Sequence, residues 1–398
     1  MPSRREFLYQ LGVTSLGIAG IHVLPGCEHI DVVSKISGGR VEFLTPAEDG
    51  TWYWQSGNTT EKKDAPDIAR DNWTLSVESD AGLSKTIGFS DLKSMEENGE
   101  SMAYIKTMRC VFGAKIGTLF DSLVSTGVFK GIPLYKVLRQ FNIPQNAKKL
   151  RTFGADGFES NLRMDRALED GKNRLPALLA YELNGQPVSR LRGGPVRLVV
   201  PEMWGYKNMK WLEKIVATKD DSIFGTYETE RFAPSADKMN EKQKWMEQKQ
   251  TQRLIDDPAR IALTSTVSKP AVNGQEIKGP DVTIAGTSYV GSAPIQNVEI
   301  SLDDGPFEEI ELLSQEDVRA TLSSEFKDVF DEAEQTGDGA PWPPTDVWTV
   351  WSKTFEGVSK GSHKATIRAK DGEGRQQKGN TGNMYEVAPQ VLVEFTVK

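Results

Sequence analysis

GPVRLVVP at Gly194–Pro201 and WGYKNMKWL at Trp204–Leu212, separated only by Glu202-Met203, form the stretch on which the fold turns. Val196–Val200 is a short apolar run between two prolines and reads as a strand. It is the last of three such runs. Leu150–Phe153 and Leu178–Glu182 precede it, with Gly- and Asn-rich turns between them, including Asn184-Gly185-Gln186-Pro187. Farther upstream, Trp73–Val77 alternates as a strand does, and Phe89–Met95 opens a helix with a Ser or Asp cap. Gly131-Ile132-Pro133-Leu134 reads as a turn entering a short helix over Tyr135–Leu138.

Downstream, Asn240–Asp257 is charge-rich and helical in pattern, and Pro258 closes it, which places a domain boundary there. Beyond it come short strands at regular spacing: Asp281–Thr287, Ile295–Leu302, Phe307–Leu313, Trp348–Thr354, His363–Ala369 and Val391–Val397. Such spacing with Gly and Asp turns indicates an all-β sandwich. An acidic insert, Ser314–Gly339, interrupts them; it favours helix, and its charge suggests a solvated surface excursion. The class is therefore α+β. Residues 46–257 form a mixed domain and residues 258–398 an immunoglobulin-like β-sandwich, in keeping with two cores for a 398-residue chain.

The ends and the rare residues narrow the function. Ser3-Arg4-Arg5-Glu6-Phe7-Leu8 followed by the apolar Leu11–Leu24 has the form of a twin-arginine export signal, used by proteins that leave the cytoplasm already folded. Leu24-Pro25-Gly26-Cys27 resembles a lipobox, in which Cys27 would carry a lipid anchor. Residues 1–27 are thus the expected signal, residues 28–45 a tether, and the expected location is the periplasm or cell envelope. No later apolar run is long enough for a transmembrane helix. A net charge of −8 argues against a nucleic-acid partner.

With Cys27 at the exported end, Cys110 is the remaining cysteine. It lies in AYIKTMRCVFGAKIG, Ala103–Gly117, after the strand-like Ala103-Tyr104-Ile105 and before small and basic residues that suit a loop near an anion. Its bland alternative is a small buried hydrophobe. There is no Cys-x-x-Cys-His for covalent haem, and three histidines, two of them at the exported end, assemble neither a zinc nor a haem-b cluster. Any redox cofactor must be held largely without histidine, and no haem is expected.

Met108-Arg109-Cys110, the run from Asn184 to Leu212, and the C-terminal Val298–Gly305 with Ala369-Lys370-Asp371 and Gln376 together resemble the sulfite oxidase superfamily of molybdopterin-dependent oxidoreductases, in that order. The resemblance covers the chain from about Val41 onward. It implies a sulfite-oxidase-like molybdopterin-binding domain, a C-terminal dimerisation domain, and Cys110 as catalytic residue and molybdenum ligand. It further implies cofactor contacts from Tyr53, Trp54, Gln55, Gly154, Arg192, Arg197, Asn208, Met209 and Lys210. One protein thiolate beside two cofactor sulfurs makes a soft donor set that needs no histidine cluster. Arg197 and Lys210, close to glycines, are suited to the pterin phosphate, although a strand-edge surface charge and a solvated helix cap are the bland readings.

The departures fall on the substrate side. Arg192 stands where typical sulfite oxidases have histidine, Lys115 where they have arginine, and Gln55 where they have the early substrate arginine. Tyr227 is the nearest candidate for the active-site tyrosine. Met108–Val111 and the Tyr53 region also look like the catalytic subunit of periplasmic methionine sulfoxide reductase, a branch without the C-terminal sandwich. The expectation is oxygen-atom transfer to or from a small oxyanion or oxo-substrate. Sulfite oxidation is the leading case, with an external cytochrome or membrane redox partner. Reduction of a sulfoxide is the alternative, and a non-catalytic assembly lipoprotein on the same fold is a reading of another class.

Overall fold

The computed structural model describes residues 43–47, 52, 58–59, 61–110, 124–221, 225, 260–270, 274–379 and 387–398. In the first half, β1 (Thr74–Ser79), β2 (Ser84–Gly88), α1 (Phe89–Glu97), β3 (Met102–Arg109), β4 (Val124–Pro133), α2 (Leu134–Arg139), β5 (Lys149–Gly154) and β6 (Glu159–Arg163) follow in order. Then come α3 (Met164–Ala167), β7 (Leu178–Leu183), β8 (Gln186–Pro187), β9 (Arg197–Val199) and β10 (Leu212–Thr218). They build two sheets, one in the order β2-β1-β10-β5-β6 and one in the order β3-β4-β7-β8 with β9 paired to β7.

One core lies between these layers. Leu75 and Val77 enter it from β1, Ile105 from β3, Val128 and Ile132 from β4, and Leu92 and Met95 from α1. The other face of the second sheet carries a smaller cluster that includes Tyr104, Met108, Phe129, Leu178 and Val199, with Cys110 against it. Alternation along β3 explains the division. Ala103 and Ile105 face the first core, whereas Tyr104, Met108 and Cys110 face the second, as a period of two requires.

Two local expectations are corrected. The helix does begin at Phe89, but its N-cap is Gly88; the Gly88 N–H donates to Asp91 Oδ2 at 2.7 Å, so Asp91 serves from the third helical position. Gly131-Ile132-Pro133 is the end of a ten-residue strand, not a turn. A Cβ at Gly131 would lie 2.2 Å from the Leu179 carbonyl oxygen, so glycine is what lets β4 approach β7 at an irregularity in their register.

In the second half, β11 (Thr264–Lys269), β12 (Gln275–Ile277), β13 (Val282–Tyr289), β14 (Ile295–Leu302) and β15 (Glu308–Ile310) precede α4 (Gln315–Thr321) and α5 (Ser324–Asp331). β16 (Thr349–Phe355), β17 (Gly361–Asp371) and β18 (Val391–Val397) complete it. Sheets of order β11-β13-β16 and β12-β18-β17-β14-β15 share one core, to which Ile284 and Trp351 come from the first sheet and Ile300, Ile367 and Phe395 from the second. That is a sandwich, with β15 shorter than the Phe307–Leu313 expectation. The Asn240–Asp257 helix and the boundary at Pro258 lie outside the described residues.

The acidic insert is helical as its composition indicates, but it is not a solvated excursion. Val318, Leu322, Phe330 and Ala333 are buried in the core of the first half. The Phe330 ring meets Phe43 edge-on at 5.8 Å and Trp342 at 6.0 Å. Its acids point outward while its apolar stripe, spaced by three and four residues, docks inward. Phe330→Ala should therefore destabilise the protein by about 3 kcal/mol in urea unfolding, the scale of an emptied aromatic site. A solvated insert would give a change near zero.

The insert and the residues just after it also finish a sheet. β3 is an edge strand, with outward backbone groups that need partners. Ile105 donates its N–H to Gln335 Oε1 at 2.9 Å and accepts from Gln335 Nε2 at 2.7 Å, so one amide side chain acts as a strand segment. Two residues on, Thr107 donates its N–H to the Asp346 carbonyl at 3.0 Å, and its hydroxyl oxygen accepts from the Trp348 N–H at 2.8 Å.

Candidate active site

Cys110 is the residue after the last of β3, half-buried, and seated beside the smaller apolar cluster. Arg109 before it is 2 % exposed, and its guanidinium lies over the rings of Trp204 (5.6 Å) and Tyr289 (5.3 Å). The strand end is thus gripped by an aromatic from each half of the chain.

The second component is the run from Arg190 to Leu212, which folds back on itself. The Arg190–Arg192 turn ends at Gly193, whose φ of +96° and close approach to Lys210 leave no room for a side chain. The Trp211 N–H donates to the Gly193 carbonyl at 2.9 Å and the Leu198 N–H to the Met209 carbonyl at 2.8 Å, which lays the 208–212 segment along β9. Asn208 staples the bend. Its Oδ1 accepts from the Val200 N–H at 2.7 Å, and its Nδ2 donates to the Trp204 carbonyl at 2.9 Å. Met209 is buried. A Cβ at Gly154 would lie 2.7 Å from the Lys210 carbonyl oxygen, so the bare glycine serves this packing.

Three cations meet here. Arg197 donates from Nη1 to the Arg192 carbonyl at 2.7 Å and from Nη2 to the Asn208 carbonyl at 3.1 Å. Arg192 donates from Nε to the Ala47 carbonyl at 3.2 Å, and Lys210 from Nζ to the Leu191 carbonyl at 2.9 Å. Arg192 and Arg197 are at most 2 % exposed and Lys210 9 %, so neither a surface charge nor a solvated cap describes them. Burial pushes the Lys210 ammonium well below its usual range; Arg197 and Arg192 push it the same way, and Asp156 opposes them.

Two contacts join this cluster to the cysteine face. The Arg197 guanidinium lies 5.7 Å from the centre of the Phe129 ring, and Ala47, which Arg192 holds, packs with Cys110 on the same apolar cluster. The structure thus brings together Gly154, Arg192, Arg197, Asn208, Met209 and Lys210, and sets Cys110 on the apolar cluster whose Phe129 and Ala47 touch Arg197 and Arg192. Tyr53, Trp54, Gln55, Lys115 and Tyr227 lie outside the described residues. Among the described residues no group of three or more His, Cys, Asp or Glu converges to hold a metal.

Sequence patterns give no sign of the polar layer behind the site. Arg166 is buried and donates to the Leu175 and Pro201 carbonyls at 2.8 and 3.4 Å, bracing the end of the β9 segment. Lys207 is buried and donates to the carbonyl and Oδ1 of Asn161 at 3.0 and 3.2 Å. Lys106 of β3 forms a buried ion pair with Asp346 at 2.9 Å, the two side chains 0 % and 3 % exposed. No spacing in the sequence marks partners 240 residues apart.

Residues 62–224 match the model of the oxidoreductase molybdopterin binding domain. The chain is 26 % identical over 204 residues to nitrate reductase [NADH] 1 of Arabidopsis thaliana, which covers 46 % of this chain and 21 % of that protein. It is 31 % identical over 147 residues to mitochondrial sulfite oxidase of Homo sapiens, covering 36 % and 25 %. With mitochondrial sulfite oxidase of Drosophila melanogaster it shares 26 % identity over 278 residues, covering 64 % and 45 %. The matched region spans about a fifth to under half of these relatives' lengths. In structure it resembles the sulfane dehydrogenase SoxCD from Paracoccus pantotrophus, with a TM-score of 0.64, 16 % identity, and coverage of 91 % of this chain and 82 % of that one, a likeness of fold. Residues 62–224 are thus a molybdopterin-binding oxidoreductase domain, and the chain is similar there to sulfite oxidases and nitrate reductases.

Proposed function

We propose that the chain is an exported molybdenum oxidoreductase that oxidises sulfite, or a closely similar small oxyanion, and passes the electrons to a separate cytochrome or membrane partner. The observation that carries this reading is the buried cluster of Arg192, Arg197 and Lys210, set on the apolar face where Cys110 ends its strand. The donor set fits the cofactor: a thiol is the soft ligand molybdenum takes from protein, and the cations suit the pterin phosphate. Bound there, the cofactor would supply a metal able to exchange an oxygen atom and two electrons.

The chain's own residues would do the rest. Cys110 would hold the metal from the end of a strand paired to β4 up to Arg109. Arg197 and Lys210 are already aimed by hydrogen bonds to carbonyls, so little ordering remains to be done when the phosphate arrives. Arg192, with Lys115 and Tyr227, would meet the substrate, and cations there favour an anion. Tyr53, Trp54 and Gln55 would line the cofactor. The twin-arginine signal and Cys27 anchor would place the enzyme in the periplasm or cell envelope, and the immunoglobulin-like sandwich would pair two copies.

Molybdenum analysis of the matured protein and sulfite-dependent reduction of an artificial acceptor test the reading; a matured protein without molybdenum would sink it. Oxidation of a reduced dye by sulfoxides, in the absence of sulfite turnover, would turn the assignment to reduction. Arg197→Lys keeps the charge but loses the fork that grips two carbonyls. It is expected to lower cofactor retention through gel filtration by about tenfold, and the loss of two buried hydrogen bonds should lower the melting temperature as well. Full retention would remove Arg197 from the cofactor site.

A further inference from the structure

Cys110 follows directly on β3, so its position is the position of that strand's end. β4 holds one side of β3 along its whole length, from Met102↔Gly131 to Arg109↔Val124. The other side is held from the C-terminal half at the backbone of two successive outward residues, and the side chain of Arg109 is held as well. Gln335 pairs both backbone groups of Ile105, Asp346 accepts from the Thr107 N–H, and Tyr289 lies under the Arg109 guanidinium. Asp346 binds twice, because its carboxylate also takes the Lys106 ammonium. Lys106 lies on the Cys110 face of the strand and reaches back to the Met203 carbonyl at 3.4 Å, next to the cationic run.

The ion pair is a poor device for stability. Burial raises the Asp346 carboxyl to about 6 despite its partner, and burial also lowers the Lys106 ammonium. Both shifts say that mutual attraction falls short of the lost hydration, as is common for buried pairs. What the pair supplies is a fixed register between two parts of the chain 240 residues apart.

We propose that Asp346 and Gln335 are positioning residues for Cys110. The 335–348 segment acts as the missing edge partner of β3 and sets the depth and direction of the thiolate at its end. This rests on Cys110 being the metal ligand, and the test separates the two claims.

Asp346→Asn and Gln335→Ala would be compared, as holoproteins, with Val393→Ala, a cavity in the sandwich core that touches none of these residues. Two readouts follow Cys110 itself: its alkylation by iodoacetamide, mapped by peptide mass, and the electron paramagnetic resonance spectrum of the molybdenum. Both clasp variants are expected to speed alkylation by about tenfold and to shift the spectrum, while Val393→Ala at equal loss of melting temperature does neither. Alkylation that tracks melting temperature alone across the three would overturn the proposal, as would an unchanged rate and spectrum in the clasp variants. Gln335→Ala decides the matter alone if Asp346→Asn does not accumulate. Failure of the ligand assignment shows elsewhere: Cys110→Ser would keep its molybdenum and an unaltered spectrum.

Discussion

Cys110→Ser is expected to lower sulfite-dependent turnover by about 10³-fold or more. Serine is nearly the same shape, and a half-buried site beside an apolar cluster tolerates it, so melting should stay close to wild type. The chemistry does not tolerate it. A hydroxyl is a harder and far more basic donor than a thiolate, so it changes both the strength of metal binding and the electrons the metal sees. Steady-state rates normalised to molybdenum content check this. Turnover within threefold of wild type at full metal content would mean that Cys110 is packing rather than ligand.

Lys106→Met should produce the largest loss of stability, and its size should depend on pH. Removing one partner leaves the Asp346 carboxylate buried and uncompensated, at about 3–5 kcal/mol for such a break. Burial already raises the Asp346 carboxyl to about 6 from an ordinary 3.8, with Lys106 pulling it down. A carboxyl raised in the folded state favours the fold below its unfolded pKa, and that advantage is lost as pH rises through the folded one. Without Lys106 the folded value moves higher still. The full cost should therefore appear at pH 8 and shrink markedly at pH 5, where a neutral Asp346 is easy to bury. Urea unfolding at both pH values measures it; an equal cost at each would show that Asp346 is not the group left stranded.

Local placements are legible in the amino-acid order alone: Cys110 follows directly on a strand, and Lys210 packs against the bare Gly154 and Gly193. The sandwich strands are legible too, since β14 and β18 have the ends that alternation and turns assign. The insert misleads when its net charge is weighed and its periodicity is not. Val318, Leu322, Phe326, Val329 and Ala333 recur at helical spacing and are the signal that it docks. β4 runs longer than its residue types suggest because Gly131 and Pro133 count as breakers by type, whereas here the glycine admits the Leu179 carbonyl. The Lys106–Asp346 pair has no local signature at all.

The clasp on β3 also sets an order of events during synthesis. Gln335 reaches Ile105 across 230 residues, and Trp348 donates to the Phe43 carbonyl across 305. While the ribosome is still making the sandwich, β3 stands with a bare edge, open to any stray strand. The molybdopterin-binding half therefore cannot be finished as it emerges. Its edge strand is closed only by residues 335 to 348.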